Sequence, residues 1–185
     1  MLNYRNQLGT SLIEVLVAIL IMSFGMLSLG AMLSLSVQMP KLAGYRATAT
    51  NIAASHIEKI RANPDGFNSG AYVTTLSYDG TRNNIALNTC DYPDCTSMTL
   101  AAMDNAATQK TTRDELPAGG VLVTCSTTPC TLDAYGNIWI IWQEPITYDA
   151  AGLAASDNCP TQVTSVYTNP RPRCLYVRFK TGFIR

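Results

Sequence analysis

The stretch that decides the fold is Gly9-Thr10-Ser11-Leu12-Ile13-Glu14-Val15-Leu16-Val17-Ala18, and its apolar character continues to Leu35. No charged residue occurs from Val15 to Pro40. At ~1.5 Å per residue this segment makes a helix long enough to cross a hydrocarbon core of ~30 Å. One carboxylate, Glu14, lies just inside its start. Acidic residues are unfavourable in membrane helices and usually have a function there. The segment therefore predicts a membrane-spanning helix with a functional carboxylate near its beginning.

The nine residues before this helix contain one charged side chain, Arg5, and end in Gly9. A short basic leader that ends in Gly, with Glu at the fifth position after it, resembles the N-terminus of type IV prepilins and type II secretion pseudopilins. The resemblance implies that a prepilin peptidase cleaves between Gly9 and Thr10, that Thr10 is the site of N-methylation, and that Glu14 serves as an assembly charge. Thr10 departs from the family's usual Phe.

Two other interpretations of the N-terminus are possible from the sequence. An ordinary secretory signal would be cleaved near Ala31, but Glu14 would interrupt its apolar core and the apolar run is too long. A plain membrane anchor is the second alternative. The prepilin interpretation divides the chain into a leader (residues 1–9), a transmembrane and filament-core helix (10–40) and later segments.

The helical period continues beyond Pro40 as an amphipathic second half, residues 41–63. Its apolar face comprises Leu42, Tyr45, Ala49, Ile52, Ala53, His56, Ile57 and Ile60. Pro40 is expected to kink or interrupt the helix, because it lacks an N–H. Pro64 should end it at Asn63, with a turn at Asp65-Gly66. The apolar face predicts a sheet against which this half packs.

The rest of the chain, residues 64–185, indicates an antiparallel α+β body. The predicted elements are a strand over 71–78, a helix over 97–115, strands over 121–124 and 138–142, and a half-buried terminal strand over 175–180. A turn is expected at Tyr135-Gly136-Asn137 between the two central strands, and a long irregular loop over 149–168.

This order resembles minor pilins of the PilV kind. The shared features are Arg61-Ala62-Asn63-Pro64, a Cys-rich loop, Ala101-Ala102-Met103-Asp104, Leu116-Pro117-Ala118-Gly119 and the aromatic-ended strand 138–142. Asn105 departs from the pattern, since aromatic residues are missing there. The resemblance implies a pilin-like fold and a non-catalytic subunit that helps to initiate or modify type IV pilus assembly. Its implied partners are major and minor pilins, the prepilin peptidase and the inner membrane, with a periplasmic body that later lies on the cell surface.

Six cysteines follow the span, and their even number predicts disulfides in an oxidising compartment. They are Cys90, Cys95, Cys125, Cys130, Cys159 and Cys174. Pairing in sequence order, 90–95, 125–130 and 159–174, closes the shortest loops and is the first expectation. Zinc is the alternative, but the four-residue gaps exceed the usual two. No cofactor or metal is expected.

Catalysis is not expected, because the single histidine, His56, falls on the apolar face of the first helix. Asp91, Asp94 and Asp104 lack the ligand spacing of a calcium loop, and solvated carboxylates are favoured. The C-terminal cations are Arg171, Arg173, Arg178, Lys180 and Arg185. They could touch DNA, but the outward face of a terminal strand is favoured, and nucleic acid is not an expected partner. The near alternative function is a type II secretion minor pseudopilin, and an adhesin or DNA-binding module displayed on a filament is the alternative of another class.

Overall fold

The computed structural model describes residues 11–91, 93–128, 130–131, 133–144, 157–168 and 170–181, with the side chain of Leu35 excepted. The chain divides into two compact units, Met1–Ala43 and Gly44–Arg185. The helices are α1 (Leu12–Ala62), α2 (Pro64–Asn68), α3 (Ser97–Glu115) and α4 (Thr161–Thr164). The strands are β1 (Gly120–Cys125), β2 (Tyr135–Trp142) and β3 (Arg173–Lys180). A long apolar helix packed on a small antiparallel sheet confirms the predicted α+β, pilin-like class.

Helix α1 passes through Pro40 without ending, so of the kink or interruption expected there the interruption is wrong. A proline removes its own N–H bond, and the remaining bonds of the flanking turns are enough to keep the backbone helical. The helix ends at Ala62, as Pro64 predicts. The expected turn at Asp65-Gly66 is instead part of α2, which Asn63 caps by accepting a hydrogen bond from the Gly66 N–H at 3.1 Å.

The three strands form an antiparallel sheet in the order β1-β2-β3. In the central strand β2, Ile138 lies opposite Val123 of β1 on one side and opposite Val177 of β3 on the other. The turn expected at Tyr135-Gly136-Asn137 is wrong, because these residues begin β2. Gly136 is needed within the strand, since a Cβ there would overlap the ring of Phe179.

The strand expected over residues 71–78 is also absent as a regular strand; the segment follows the edge of β1 through hydroxyl groups instead. The Thr74 N–H donates to Val123 O at 3.0 Å, and the Val123 N–H donates back to Thr74 Oγ1 at 2.9 Å. Ser77 repeats the arrangement with Val121, at 3.1 and 2.7 Å. Side-chain oxygens thus replace the carbonyls of a ladder and cover this sheet edge.

The sheet has a core on each face. On the inner face, β-strand side chains pack against the second half of α1; the buried members include Ala49, Ile52, Ala53, Ile57, Ile60, Val121, Val123, Ile138, Ile140, Trp142 and Phe179. This confirms the apolar face predicted for α1. A smaller cluster on the outer face comprises Tyr78, Ala118, Leu122, Ile141, Val163 and Cys174. Val163 belongs to α4, a short helix inside the predicted loop 149–168, whose residues 149–156 lie outside the described part.

Candidate functional site

The first part of α1 leaves a continuous apolar surface uncovered. From Leu12 to Met39 its large apolar side chains are exposed, for example Leu12, Ile13, Leu16, Ile19, Ile21, Phe24, Leu27, Met32, Leu33 and Val37. Among the described residues α1 is the helix that is long and apolar enough to cross a membrane, by length and composition. Because an uncovered apolar helix of this length is strongly unfavourable in water, lipid or neighbouring helices must cover it.

Two serines inside this apolar segment are hydrogen-bonded within the helix. Ser23 Oγ donates to Ile19 O at 2.7 Å, and Ser28 Oγ donates to Gly25 O at 2.9 Å. Such bonds lower the cost of placing hydroxyl groups in hydrocarbon. Gly25 and Gly30 have no described atom within 4 Å of a Cβ built on them, so a partner helix can approach their backbone closely.

Glu14 lies in the first turn of α1, where its N–H donates to Ser11 O at 3.0 Å. Its side chain is exposed, and a carboxylate in the first turn is favoured by the helix dipole. The predicted cleavage site at Gly9-Thr10 and the N-methylation of Thr10 lie outside the described residues. Cleavage, methylation and the assembly role of Glu14 therefore stay predictions.

All six cysteines form disulfides in the sequence-local order, with no free cysteine among the described residues. The Cα–Cα distances are 5.4 Å for Cys90–Cys95, 5.8 Å for Cys125–Cys130 and 5.2 Å for Cys159–Cys174. The last bond joins the segment before α4 to strand β3. Paired sulfurs are not zinc ligands, and the described residues contain no group of three or more His, Cys, Asp or Glu side chains that could hold a metal ion.

His56 is a buried packing residue, as its place on the apolar face of α1 predicts. Its Nδ1 lies 2.8 Å from Thr108 Oγ1 of α3, and its ring meets the edge of Tyr72 at 5.9 Å between centroids. Burial, with a smaller contribution from Lys59, lowers the pKa of His56 from 6.5 to about 4. The Tyr72 hydroxyl donates to Asp104 Oδ2 at 2.7 Å, which gives this aspartate, one of the calcium candidates, a role in holding α3.

The low pKa of His56 predicts that acid weakens the body. The folded chain holds the neutral imidazole, whereas the unfolded chain takes up a proton as the pH falls through 6.5, so stability is complete above that pH and is lost progressively toward pH 4. We expect the free energy of unfolding to fall by about 2 kcal/mol between pH 7 and pH 5. Urea titrations of the full chain in detergent, followed by tryptophan fluorescence, measure this change.

The control variant is His56→Gln, whose amide can still pair with Thr108 but does not titrate. It should lose much less stability over the same pH range, and an equal loss in both proteins would show that other groups cause the acid sensitivity. The titration of Asp79 does not contribute to the stability change between pH 7 and pH 5, because its pKa is low. Burial alone would raise its pKa, but hydrogen bonds from Arg113 and Thr81 outweigh that effect and hold its pKa at about 2.

The C-terminal cations do not form one stripe. Arg173 is buried, and its Nε donates to Glu144 Oε2 at 2.9 Å while its Nη1 lies 3.6 Å from Asp157 Oδ2. Arg178 and Lys180 lie over the ring of Tyr135, and Arg185 is outside the described residues. The burial of Arg173 could have been predicted from the sequence. In the alternating pattern of β3, Arg173 falls on the same inward face as Leu175, Val177 and Phe179. The prediction placed it with the other C-terminal cations on the outward face of a terminal strand.

A second buried cation, Arg113, was missed in the sequence. This α3 residue is 7 % exposed and holds the segment on both sides of Tyr78. Its Nη1 donates to Asp79 Oδ1 at 2.6 Å and its Nη2 donates to Ser77 O at 2.8 Å. Arg113 lies on a helix of low apolar content, so its burial left no periodic pattern in the sequence. Its hydrogen-bond partners also lie more than 30 residues away in sequence.

Comparison with known proteins gives one match. Residues 4–30 match the prokaryotic N-terminal methylation motif. The comparisons with the curated proteins and with the solved structures found no match. The motif supports a prepilin of the type IV pilin or pseudopilin kind, and it points to a structural subunit that associates with other pilins and with the prepilin peptidase. The motif and the apolar N-terminal helix together fit a membrane-anchored precursor.

Proposed function

We propose that this chain is a minor pilin, a non-catalytic structural subunit that helps to initiate or modify type IV pilus assembly. The observation that carries the proposal is the exposed apolar part of α1, which begins with Glu14 in its first turn and overlaps the methylation motif at residues 4–30. For a body of this size in water, an exposed apolar helix surface serves no purpose. Between neighbouring helices of a filament it supplies the packing surface.

The proposed sequence of events follows from the chemistry of the segments. The chain is held in the inner membrane by residues 10–40, and the peptidase removes residues 1–9 on the cytoplasmic side. The body, residues 64–185, folds in the periplasm, where three disulfides are stable. The mature helix then leaves lipid for the filament core. The features that favour a pilus over a type II secretion pseudopilus are Arg61-Ala62-Asn63-Pro64 and the six cysteines.

Isolation of sheared filaments tests this function. We expect the chain to co-purify with filaments at a low ratio to the major subunit, because a minor pilin occupies few positions. Recovery with components of a type II secretion system, and not with pili, would favour the pseudopilin alternative. Confinement to the membrane fraction in cells that make normal pili would contradict both.

Processing of the N-terminus gives a separate prediction. If Gly9 ends the leader, intact-mass analysis of the membrane-extracted protein should show a chain that begins at Thr10. Gly9→Val should leave the precursor uncleaved, because the peptidase is expected to require a residue without a side chain before the cut. A mature terminus near Ala31 would support the secretory signal, and retention of Met1 in wild-type cells would support a plain anchor.

A further inference from the structure

The outer face of the sheet is covered at one end and open at the other. At the covered end, Ile141 and Cys174 are buried beneath α4 and the Cys159–Cys174 bond. The open end carries outward side chains from β2 and β3 that lie beside each other in register: Tyr135 beside Lys180, Asn137 beside Arg178, and Trp139 beside Tyr176. These six residues, which we call the open-face cluster, have no role in the proposed packing of α1.

Hydrogen bonds within the open-face cluster engage the Asn137 amide oxygen and the Tyr176 hydroxyl, and they leave N–H donors facing solvent. Arg178 Nε donates to Tyr176 Oη at 3.2 Å, and Tyr176 Oη donates to Asn137 Oδ1 at 2.8 Å. These two bonds orient the Asn137 amide. Its NH₂ group has no partner among the described residues, and neither have the terminal nitrogens of the Arg178 guanidinium. The cluster therefore offers N–H donors to a ligand, whereas its amide oxygen already accepts one hydrogen bond.

The aromatic side chains of the cluster are held in place. Trp139 stacks on Tyr176 with 5.0 Å between ring centroids, and its indole N–H donates to Asn158 O at 2.9 Å. Tyr135 lies at the end of the cluster and is 48 % exposed. Arg178 and Lys180 approach its ring to 5.6 and 5.7 Å. An exposed ring beside two cations is an arrangement that can combine stacking with charge attraction.

Charge decides which ligand suits this surface. Lys180 Nζ lies 3.9 Å from Asp133 Oδ1, but that carboxylate is 99 % exposed and therefore gives a weak, solvent-screened pair. Phosphate oxygens accept hydrogen bonds and donate none, which matches a surface of donors. Neutral sugars present hydroxyl donors as well and would need free acceptors. A base stacked on Tyr135 adds contact that a duplex, with its bases already paired and stacked, does not offer.

We propose that the open-face cluster binds a single strand of nucleic acid, with Arg178, Lys180 and the Asn137 amide on its phosphates and Tyr135 against a base. The linear sequence alone favours a solvated strand face for the C-terminal cations. The structure separates them: Arg173 is neutralised in the core, while Arg178 and Lys180 join an aromatic and amide cluster that was not visible in the linear order.

The test measures binding of a fluorescein-labelled oligothymidine of about 20 nucleotides to the full chain in detergent, by anisotropy at several salt concentrations. Phosphates neutralised by the two cations, Arg178 and Lys180, predict a slope of log affinity against log salt of about −1.4, since the uncharged Asn137 amide adds nothing to the slope. Arg178→Gln and Lys180→Gln should each reduce the magnitude of the slope by about 0.7. Arg171→Gln removes an exposed cation outside the cluster and should leave the slope unchanged. Tyr135→Leu should weaken binding at least fivefold with the slope unchanged.

Each other outcome overturns the proposal. An equal effect of Arg171→Gln would indicate unspecific charge attraction, and duplex DNA bound as tightly as the single strand would exclude stacking on Tyr135. Polygalacturonate bound through Arg178 in place of the oligonucleotide would assign the surface to acidic glycans. Unfolding midpoints of the variants should match wild type, because the altered side chains are exposed. The measurement does not involve filaments, so its result is independent of the proposed minor-pilin role.

Discussion

Replacing Cys159 and Cys174 together with Ser is expected to lower the free energy of unfolding of the body by about 3 kcal/mol, the chain-entropy estimate for a loop of about 15 residues. The two cysteines are 15 residues apart, and the loop between them includes α4, whose Val163 is fully buried against the outer face of the sheet. Without the bond the unfolded chain gains freedom, and α4 is held by few apolar contacts. Urea unfolding of the full chain in detergent, followed by tryptophan fluorescence, gives the change.

The matched control is the pair Cys90→Ser and Cys95→Ser, which opens a loop of five residues in an irregular, exposed segment. The same entropy relation gives about 2 kcal/mol for it, so the loss should be about 1 kcal/mol smaller. A local signal separates the two pairs further. Trp139 donates to Asn158 O next to Cys159, and its emission should shift to the red only when the 159–174 bond is removed. A stability change below 1 kcal/mol for the 159–174 pair would show that the bond does not hold the outer face.

The elements that the sequence predicted well are those whose signal is local. The apolar run of α1, the stop before Pro64 and the alternation of Leu175, Val177 and Phe179 depend on neighbouring residues, and each recurs in the structure. The loop lengths between cysteines likewise indicated the pairing, because short loops close at the lowest entropic cost. The prepilin motif is a short linear signal of the same kind, and the family match falls on it.

The elements that were missed depend on partners far away in sequence. The segment 71–78 has the composition of a strand, yet Thr74 and Ser77 each meet β1 through one backbone and one hydroxyl hydrogen bond. Three residue steps in this segment lie opposite two in β1, which a regular ladder does not allow. Gly136 looked like a turn residue, but the sheet uses its missing side chain to admit Phe179 from the neighbouring strand. The open-face cluster arises only when β2 and β3 pair, since its members come from positions 135–139 and 176–180.

Glu14→Ala is expected to reduce incorporation into pili at least tenfold while leaving membrane insertion intact. In lipid the carboxylate is unfavourable, so the lone helix should be more stable with Ala at this position. If Glu14 serves assembly, as predicted, its stabilising effect must appear when the Thr10 amine of the same or a neighbouring subunit comes within charge-pairing reach. In apolar surroundings that attraction is much stronger than in water, although desolvation of both ions reduces the net gain. A tenfold change corresponds to about 1.4 kcal/mol, which lies within the range of such a pair. Quantitative immunoblots of inner-membrane and sheared-pilus fractions measure the distribution.

Glu14→Gln separates charge from hydrogen bonding, because its amide keeps the shape and the polar oxygen but cannot neutralise an ammonium group. Charge pairing predicts that Gln behaves like Ala, with mature protein accumulating in the inner membrane. If Gln restores incorporation, a hydrogen bond is sufficient. Val17→Ala is the matched control for loss of side-chain volume in the same helix and should enter pili normally. Intact mass must show the Thr10 terminus in all three variants, since an uncleaved precursor would place the role of Glu14 in peptidase recognition. Incorporation of cleaved Glu14→Ala at the wild-type level would exclude charge pairing as the reason for a carboxylate at the start of an otherwise uncharged helix.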